Sequence, residues 1–172
     1  LHLAYRETGT ELLKYLKRTG GLWGSPVAVD NLGGDRIISL AVDGIGYAHI
    51  AYQKGPLTDL TYAKFNGTGF DPPQVVFSPG GLGIGDPSIV IDAAGYPRIA
   101  IGDSQNSRVM LAAWKGGAWS VETVDSSGQP GNGLDLSMAV DGQGREHIAY
   151  ALPTGGPSGY ALRYASRTAD GT

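Results

Sequence analysis

Apolar and polar residues along the chain alternate in short runs that are separated by clusters of glycine and proline. The stretch SLAVDGIGYAHIAY (39–52) is representative, with an apolar run, a polar turn and a second apolar run. Short apolar runs bounded by turn-forming residues predict β-strands. The 28 glycines and 10 prolines are too many for long helices. We therefore predict an all-β fold.

The same stretch recurs at a constant spacing. SIVIDAAGYPRIAI occupies 88–101 and SMAVDGQGREHIAY occupies 137–150, so successive copies begin 49 residues apart. A partial copy, HLAY, stands at residues 2–5. A fixed period of this length indicates that each copy is one supersecondary unit that stacks on its neighbours.

Each unit contains four predicted strands. In the second unit they are ISLAVD (38–43), HIAY (49–52), LTYAKF (60–65) and PQVVFSP (73–79). The segment 9–21 also has apolar spacing that fits a helix, but the repeat register places it on a third strand, and we predict a strand there. Four antiparallel strands in about 49 residues are typical of a β-propeller blade.

This register predicts about three and a half blades of four antiparallel strands. The predicted units are a partial blade at 1–35, whole blades at 36–84 and 85–133, and a partial blade at 134–172. The chain thus begins at a second strand and ends after a third strand. Because open sheet edges pair readily, we expect a partner that closes the ring, either another copy or the rest of a longer repeat chain.

An Asp-x-x-Gly turn joins the first two strands of each unit. Aspartate at the first turn position accepts backbone N–H bonds, and glycine at the fourth adopts a positive φ. The residues with this predicted structural role are Asp43 and Gly46, Asp92 and Gly95, and Asp141 and Gly144. His2, His49 and His147 recur with the repeat as well, so we interpret them as structural and expect no metal site.

The repeat resembles propeller-forming repeats found in tandem in large bacterial exported proteins. The patterns that carry the resemblance are SLAxDxxGxxHIAY, LxYAxxxGxxW and VETVDSSG, and they cover essentially the whole chain. NHL-type blades are loosely similar because they share the Asp-x-x-Gly turn. The resemblance implies a secreted or cell-surface bacterial protein. The sequence lacks the motifs of sialidase, integrin-type calcium-binding, WD and kelch propellers.

Composition narrows the function classes. The net charge of −3 offers no basic footprint for nucleic acid, so we expect no nucleic-acid partner. No apolar run approaches the length of a membrane span, and the sequence contains no cysteine. The glycine-rich stretch GGLGIGDP (80–87) does not match G-x-G-x-x-G, and we expect no cofactor.

Residues that blade architecture does not demand are the candidates for ligand binding. They lie in loops, which converge on the channel at one end of a propeller. The candidates are Asp103, Asn106 and Arg108 after second strands, and Asp86, Asn132 and Asp135 before first strands.

The recurrent Trp23 and Trp119 leave a second function open. Aromatic faces stack on sugar rings, which would make the chain a carbohydrate-binding propeller with inter-blade aromatic pockets. Aromatic residues at equivalent positions also wedge neighbouring sheets together. A third possibility, a hydrolase or lyase, needs two loop carboxylates in one cleft. We favour a non-catalytic binding or scaffold module with a glycan or protein ligand, and we expect no enzymatic activity.

Overall fold

The structure is all-β, as the sequence predicts. The computed structural model describes residues 1–33, 36–55, 59–80, 83–127, 135–153 and 159–168. Within these ranges it contains strands and turns and no helix. No described segment is therefore a helix that could span a membrane. The predicted fold class is confirmed.

Fifteen strands within the described residues form four antiparallel sheets, which we number as blades 1 to 4. Blade 1 contains β1 (His2–Arg6), β2 (Leu12–Thr19), β3 (Leu22–Trp23) and β4 (Val27–Asn31). Blade 2 contains β5 (Ile38–Val42), β6 (Ala48–Lys54), β7 (Asp59–Lys64) and β8 (Gln74–Phe77). Blade 3 contains β9 (Ser88–Ile91), β10 (Pro97–Asp103), β11 (Arg108–Trp114) and β12 (Trp119–Asp125). Blade 4 contains β13 (Leu136–Val140), β14 (Glu146–Pro153) and β15 (Tyr160–Arg167).

Within each blade, neighbours in sequence are neighbours in the sheet. The order is β5-β6-β7-β8 in blade 2 and β9-β10-β11-β12 in blade 3, and blade 4 follows the order β13-β14-β15. In blade 1, strand β2 pairs with β1 and also with β3 and β4, which together take the place of one outer strand.

Strand β2 covers the segment whose apolar spacing also fits a helix. Its first five residues alternate between partly buried and fully buried positions, with Leu13 and Tyr15 buried. A period of two is the burial pattern of a strand. The prediction of a strand here is confirmed.

The first strands of successive blades lie side by side and are tied by a repeated serine. Ser39 Oγ accepts a hydrogen bond from the backbone N–H of Ile89 at 3.1 Å. Ser88 Oγ accepts one from the backbone N–H of Met138 at 3.0 Å. The serine that marks the start of each copy in the sequence therefore joins one blade to the next.

The apolar core lies between the blades. Three clusters of buried side chains fill the interfaces of blades 1 and 2, 2 and 3, and 3 and 4. Ile50, Ile99 and Ile148, which are 49 residues apart, are 0%, 0% and 3% exposed. Burying each of these side chains contributes about 1.5–3 kcal/mol. The period thus sets the column of residues that holds adjacent sheets together.

Polar bonds between blades accompany this core. Tyr52 Oη donates to Asp30 Oδ2 at 2.7 Å across blades 1 and 2. The same bond at 2.7 Å joins Tyr150 to Asp125 across blades 3 and 4. Between blades 2 and 3 the equivalent positions hold Ile101 and Phe77, which belong to the apolar cluster of that interface. One interface therefore replaces a hydrogen bond by apolar packing.

The Asp-x-x-Gly turns have the geometry that their residues favour. Asp43 Oδ1 accepts the N–H groups of Ile45 at 3.1 Å and Tyr47 at 2.8 Å. Gly46 has a φ of 84° and donates its N–H to the carbonyl of Asp43 at 3.0 Å. Equivalent bonds occur at Asp92 with Gly95 and at Asp141 with Gly144.

Candidate functional site

Each repeated histidine is held by a tyrosine of its own blade. His49 Nδ1 lies 2.6 Å from Tyr62 Oη, and His49 Nε2 lies 3.2 Å from Asp43 Oδ2. Burial lowers the pKa of His49, although the bond to Asp43 opposes the shift. The imidazole is therefore neutral at pH 7, and both of its nitrogens are occupied.

The histidine–tyrosine pair recurs in the partial blades and is replaced in blade 3. His2 Nδ1 lies 2.6 Å from Tyr15 Oη, and His147 Nδ1 lies 2.5 Å from Tyr164 Oη. In blade 3, Arg98 takes the histidine position and donates to Asp92. Among the described residues, no group of three or more His, Asp or Glu side chains is arranged to hold a metal ion.

An aromatic wedge joins neighbouring blades. Phe70 of blade 2 packs edge-on against Tyr15 of blade 1, with ring centroids 5.3 Å apart. Trp119 of blade 3 packs in the same way against Tyr62 of blade 2 at 5.1 Å. Trp23 holds the equivalent position in blade 1 and is 46% exposed. The structure therefore places Trp119 between two blades, and Trp23 at the surface of the first.

Next to this wedge, a cavity of about 250 Å³ lies between blades 2 and 3, and we call it the 2–3 groove. It opens at the end of the blades that carries the Asp-x-x-Gly turns, since Tyr96 belongs to the turn of blade 3. Its principal lining residues are Tyr62, Lys64, Asp71, Gln74, Tyr96 and Trp114.

The 2–3 groove contains polar groups to which none of the described residues bonds. Gln74 Oε1 accepts a bond from Trp119 Nε1 at 3.3 Å, and Asp71 Oδ1 accepts one from Asn66 at 2.9 Å. The Lys64 amino group and the Gln74 amide NH₂ have no partner among the described residues. The groove thus presents two donors and a carboxylate beside the rings of Tyr96 and Trp114.

The equivalent grooves of the other two interfaces differ in chemistry. Between blades 1 and 2, Phe65 takes the place of Trp114 and packs against Tyr15 with ring centroids 5.6 Å apart. Between blades 3 and 4, Arg167 takes that place beside a cavity of about 350 Å³. Arg167 pairs with Glu146 at 2.8 Å and with Glu122. As far as the described residues line these three grooves, the 2–3 groove alone combines an open cavity, aromatic rings and unpaired polar groups.

Three of the loop candidates bind one another at the opposite end of blade 3. Asn106 Nδ2 and Arg108 Nε donate to Asp103 Oδ2 at 2.8 and 3.1 Å. Asp103 is fully buried, which works against its ionisation, but these bonds outweigh burial and lower its pKa. The cluster thereby satisfies its own charges and fixes the loop between β10 and β11.

Asp86 and Asp135 do not break the repeat, contrary to our expectation. They are 49 residues apart, and each lies two residues before a repeated serine. Burial, and then the nearby Asp135 carboxylate, raise the pKa of Asp86. The two carboxylates therefore interact electrostatically, and each lies just before the first strand of its blade. Asn132 lies outside the described residues.

The lining residues Tyr96, Trp114, Lys64 and Gln74 are absent from the sequence-based candidates. The sequence points to Trp114 only through its position in the repeat, where blade 2 has Phe65 and blade 4 has Arg167. A packing role common to every blade would not predict such a change of chemistry at one position. Only the structure shows that this position of the repeat lines the groove between two blades.

Solved structures that resemble the chain support its fold. A fucose lectin from Kordia zhangzhouensis in complex with methyl-fucoside matches 73% of this chain and 96% of its own, with a TM-score of 0.54 and 14% identity. A GH43 protein from Bacillus licheniformis matches 93% of this chain at a TM-score of 0.46 and 19% identity. The chain spans 35% of that second protein. No protein-family model and no curated protein matches the chain.

The fucose lectin is a β-propeller, and together with the antiparallel four-stranded sheets this match confirms the propeller fold predicted from the repeat. The identities are too low to indicate a shared function. The looser resemblance to NHL-type blades finds no support among these matches.

The expectation that the chain has no enzymatic activity needs correction. It followed from the lack of cysteine and from the structural role of the histidines. A GH43 protein is among the matched structures, and we withdraw the exclusion of enzymatic activity.

Proposed function

We propose that this propeller binds a saccharide in the 2–3 groove. The observation that carries the proposal is the combination, in one open groove, of aromatic rings with unused polar groups. The C–H faces of a sugar ring pack on an aromatic ring such as Trp114 or Tyr96. Its hydroxyl groups accept from Lys64 and Gln74 and donate to Asp71.

The size of the groove limits the ligand. Its volume of about 250 Å³ is slightly below the range of about 300–1,000 Å³ that is typical of sites for drug-sized molecules. A single sugar residue at the end of a glycan therefore suits the groove better than a buried oligosaccharide.

The fucose lectin in complex with methyl-fucoside suggests the first ligand to test. It shares the propeller fold with this chain, and its described ligand is a monosaccharide glycoside. A secreted or cell-surface location agrees with glycan binding and stays a prediction, as does the partner that would complete the ring.

A glycan array followed by titration of free methyl glycosides tests the proposal. We expect selective retention of one class of terminal sugar and loss of at least about tenfold in affinity for Trp114→Ala, which corresponds to about 1.4 kcal/mol. Lys64→Ala, which removes no internal bond, is expected to weaken binding as well. Trp23→Ala is the matched control, because it removes a tryptophan of blade 1 that is exposed and lies outside the groove.

A free monosaccharide occupies one groove at a time. The affinity measured by titration therefore does not depend on whether copies of the chain associate. Circular dichroism of each variant verifies that the fold is retained. The proposal fails if the array shows no glycan above background, or if the folded Trp114→Ala protein binds sugar as the unmodified protein does.

A further inference from the structure

Within the part of the chain that the structure describes, the side of blade 4 that points away from blade 3 is an uncovered half of an inter-blade interface. We call it the forward face and define it by Leu162 and Tyr164, which are 84% and 62% exposed. At the same positions of blade 2, Leu60 and Tyr62 are 0% and 7% exposed because blade 3 covers them. The forward face of blade 4 therefore has the composition of a buried surface.

Blade 1 carries the complementary half on the side away from blade 2. We call it the backward face and define it by Leu3 and Trp23, which are 44% and 46% exposed. The position of Leu3 corresponds to that of Ile50, which is fully buried against blade 1. Trp23 corresponds to Trp119, whose ring packs on a tyrosine of the preceding blade.

Tyr164 of blade 4 has the same histidine partner as Tyr62, the tyrosine that packs against Trp119 between blades 2 and 3. Tyr164 Oη lies 2.5 Å from His147 Nδ1, and Tyr62 Oη lies 2.6 Å from His49 Nδ1. Tyr62 in this arrangement accepts the edge of Trp119. Tyr164 thus presents the same bonded ring with nothing packed upon it among the described residues.

We propose that the backward face of one copy of this chain docks on the forward face of a second copy. In this head-to-tail contact, Trp23 packs on Tyr164 as Trp119 packs on Tyr62. The chain already contains three interfaces of this type, and the new contact continues the series. Because the two faces differ, the interface is heterologous, and each copy contributes one face of each kind.

Two charge-introducing variants test the contact. Leu162→Asp blocks the forward face, and Leu3→Asp blocks the backward face. Both side chains are exposed in the single chain, so the fold tolerates the change, and circular dichroism verifies this. Ile45→Asp is the matched control, since Ile45 is 74% exposed on a turn of blade 2.

Size-exclusion chromatography with light scattering gives the readout. We expect the unmodified protein and Ile45→Asp to show a multiple of 17.9 kDa, and each blocking variant alone to be a monomer. An equimolar mixture of the two blocking variants regains one intact contact and forms a dimer. Trp23→Phe retains association, because Phe70 serves at the equivalent position, whereas Trp23→Ala loses it.

Each of the opposite outcomes overturns the proposal. A monomeric unmodified protein shows that a second copy does not cover these faces. Persistence of the oligomer in Leu162→Asp places the contact elsewhere. Failure of the mixture to form a dimer shows that these two faces do not dock on each other. None of these results bears on sugar binding in the 2–3 groove, which the monosaccharide titration measures separately.

Discussion

Replacing Tyr52 by phenylalanine measures the polar bond between blades 1 and 2. Tyr52 is fully buried, and its hydroxyl donates to Asp30 Oδ2 at 2.7 Å. Burial, together with the Asp30 carboxylate, raises the pKa of Tyr52, so the hydroxyl stays protonated and acts as the donor. Phenylalanine keeps the ring in the core and removes only this bond.

The size of the effect follows from the partners that remain. A hydrogen bond to a charged group contributes about 1.5–3 kcal/mol. Asp30 keeps its ion pair with Lys54 at 2.6 Å, so its charge is not left without a partner. We therefore expect a loss at the lower end, about 1.5 kcal/mol. For a domain of this length, that loss lowers the melting temperature by about 3–6 °C.

Thermal and urea unfolding followed by circular dichroism are the assays, and the repeat supplies the control. Tyr5 occupies the same register position in blade 1, where its hydroxyl forms no hydrogen bond with the described residues. Tyr5→Phe is expected to leave stability unchanged, and Tyr150→Phe is expected to resemble Tyr52→Phe because Tyr150 bonds to Asp125 at 2.7 Å. Equal midpoints for Tyr52→Phe and Tyr5→Phe would refute the assignment of an energetic role to this bond.

Two further predictions concern the serine bond between the first strands of neighbouring blades and the dependence of stability on pH. Ser88→Ala removes the acceptor of the Met138 N–H, and we expect it to lower the free energy of unfolding in urea by about 1 kcal/mol. Ser137 is exposed, so we expect Ser137→Ala to leave stability unchanged. Equal losses for the two variants would contradict this assignment. Because burial lowers the pKa of His49, stability from its neutral ring is present above about pH 6.5 and is lost as the pH falls below it. Against the effect of burial, bonds from Ser127 lower the pKa of Asp125 to about 2, so its contribution is present above about pH 4 and disappears toward pH 2. Urea midpoints measured from pH 8 to pH 2 are expected to fall in both ranges, and a flat profile would contradict both assignments.

The candidate site was less predictable than the fold. Sequence comparison identified Trp119 as a recurrent aromatic but could not decide between a wedge and a sugar platform. In the structure its ring packs on Tyr62, while Trp114, five residues earlier, lines the groove. The two tryptophans lie at the two ends of one turn, and only their packing distinguishes them.

The spacing of 49 residues determined the strands, their order and the core columns. A β-strand exposes alternate residues on opposite faces, so a repeated run with apolar residues on both faces requires a sheet on either side. Local chemistry was readable for the same reason, since an Asp-x-x-Gly turn depends on residues within a few positions of one another.

Tertiary structure decided which equivalent positions were covered, filled or open. Leu60 and Leu162 have the same place in the repeat, but one is buried by the next blade and the other is exposed. Phe65, Trp114 and Arg167 also share one position, but Phe65 packs on a neighbouring ring, Trp114 lines the 2–3 groove, and Arg167 forms ion pairs beside its cavity. These differences depend on contacts between blades that are distant in sequence, and a period along the chain carries no information on what lies across an interface.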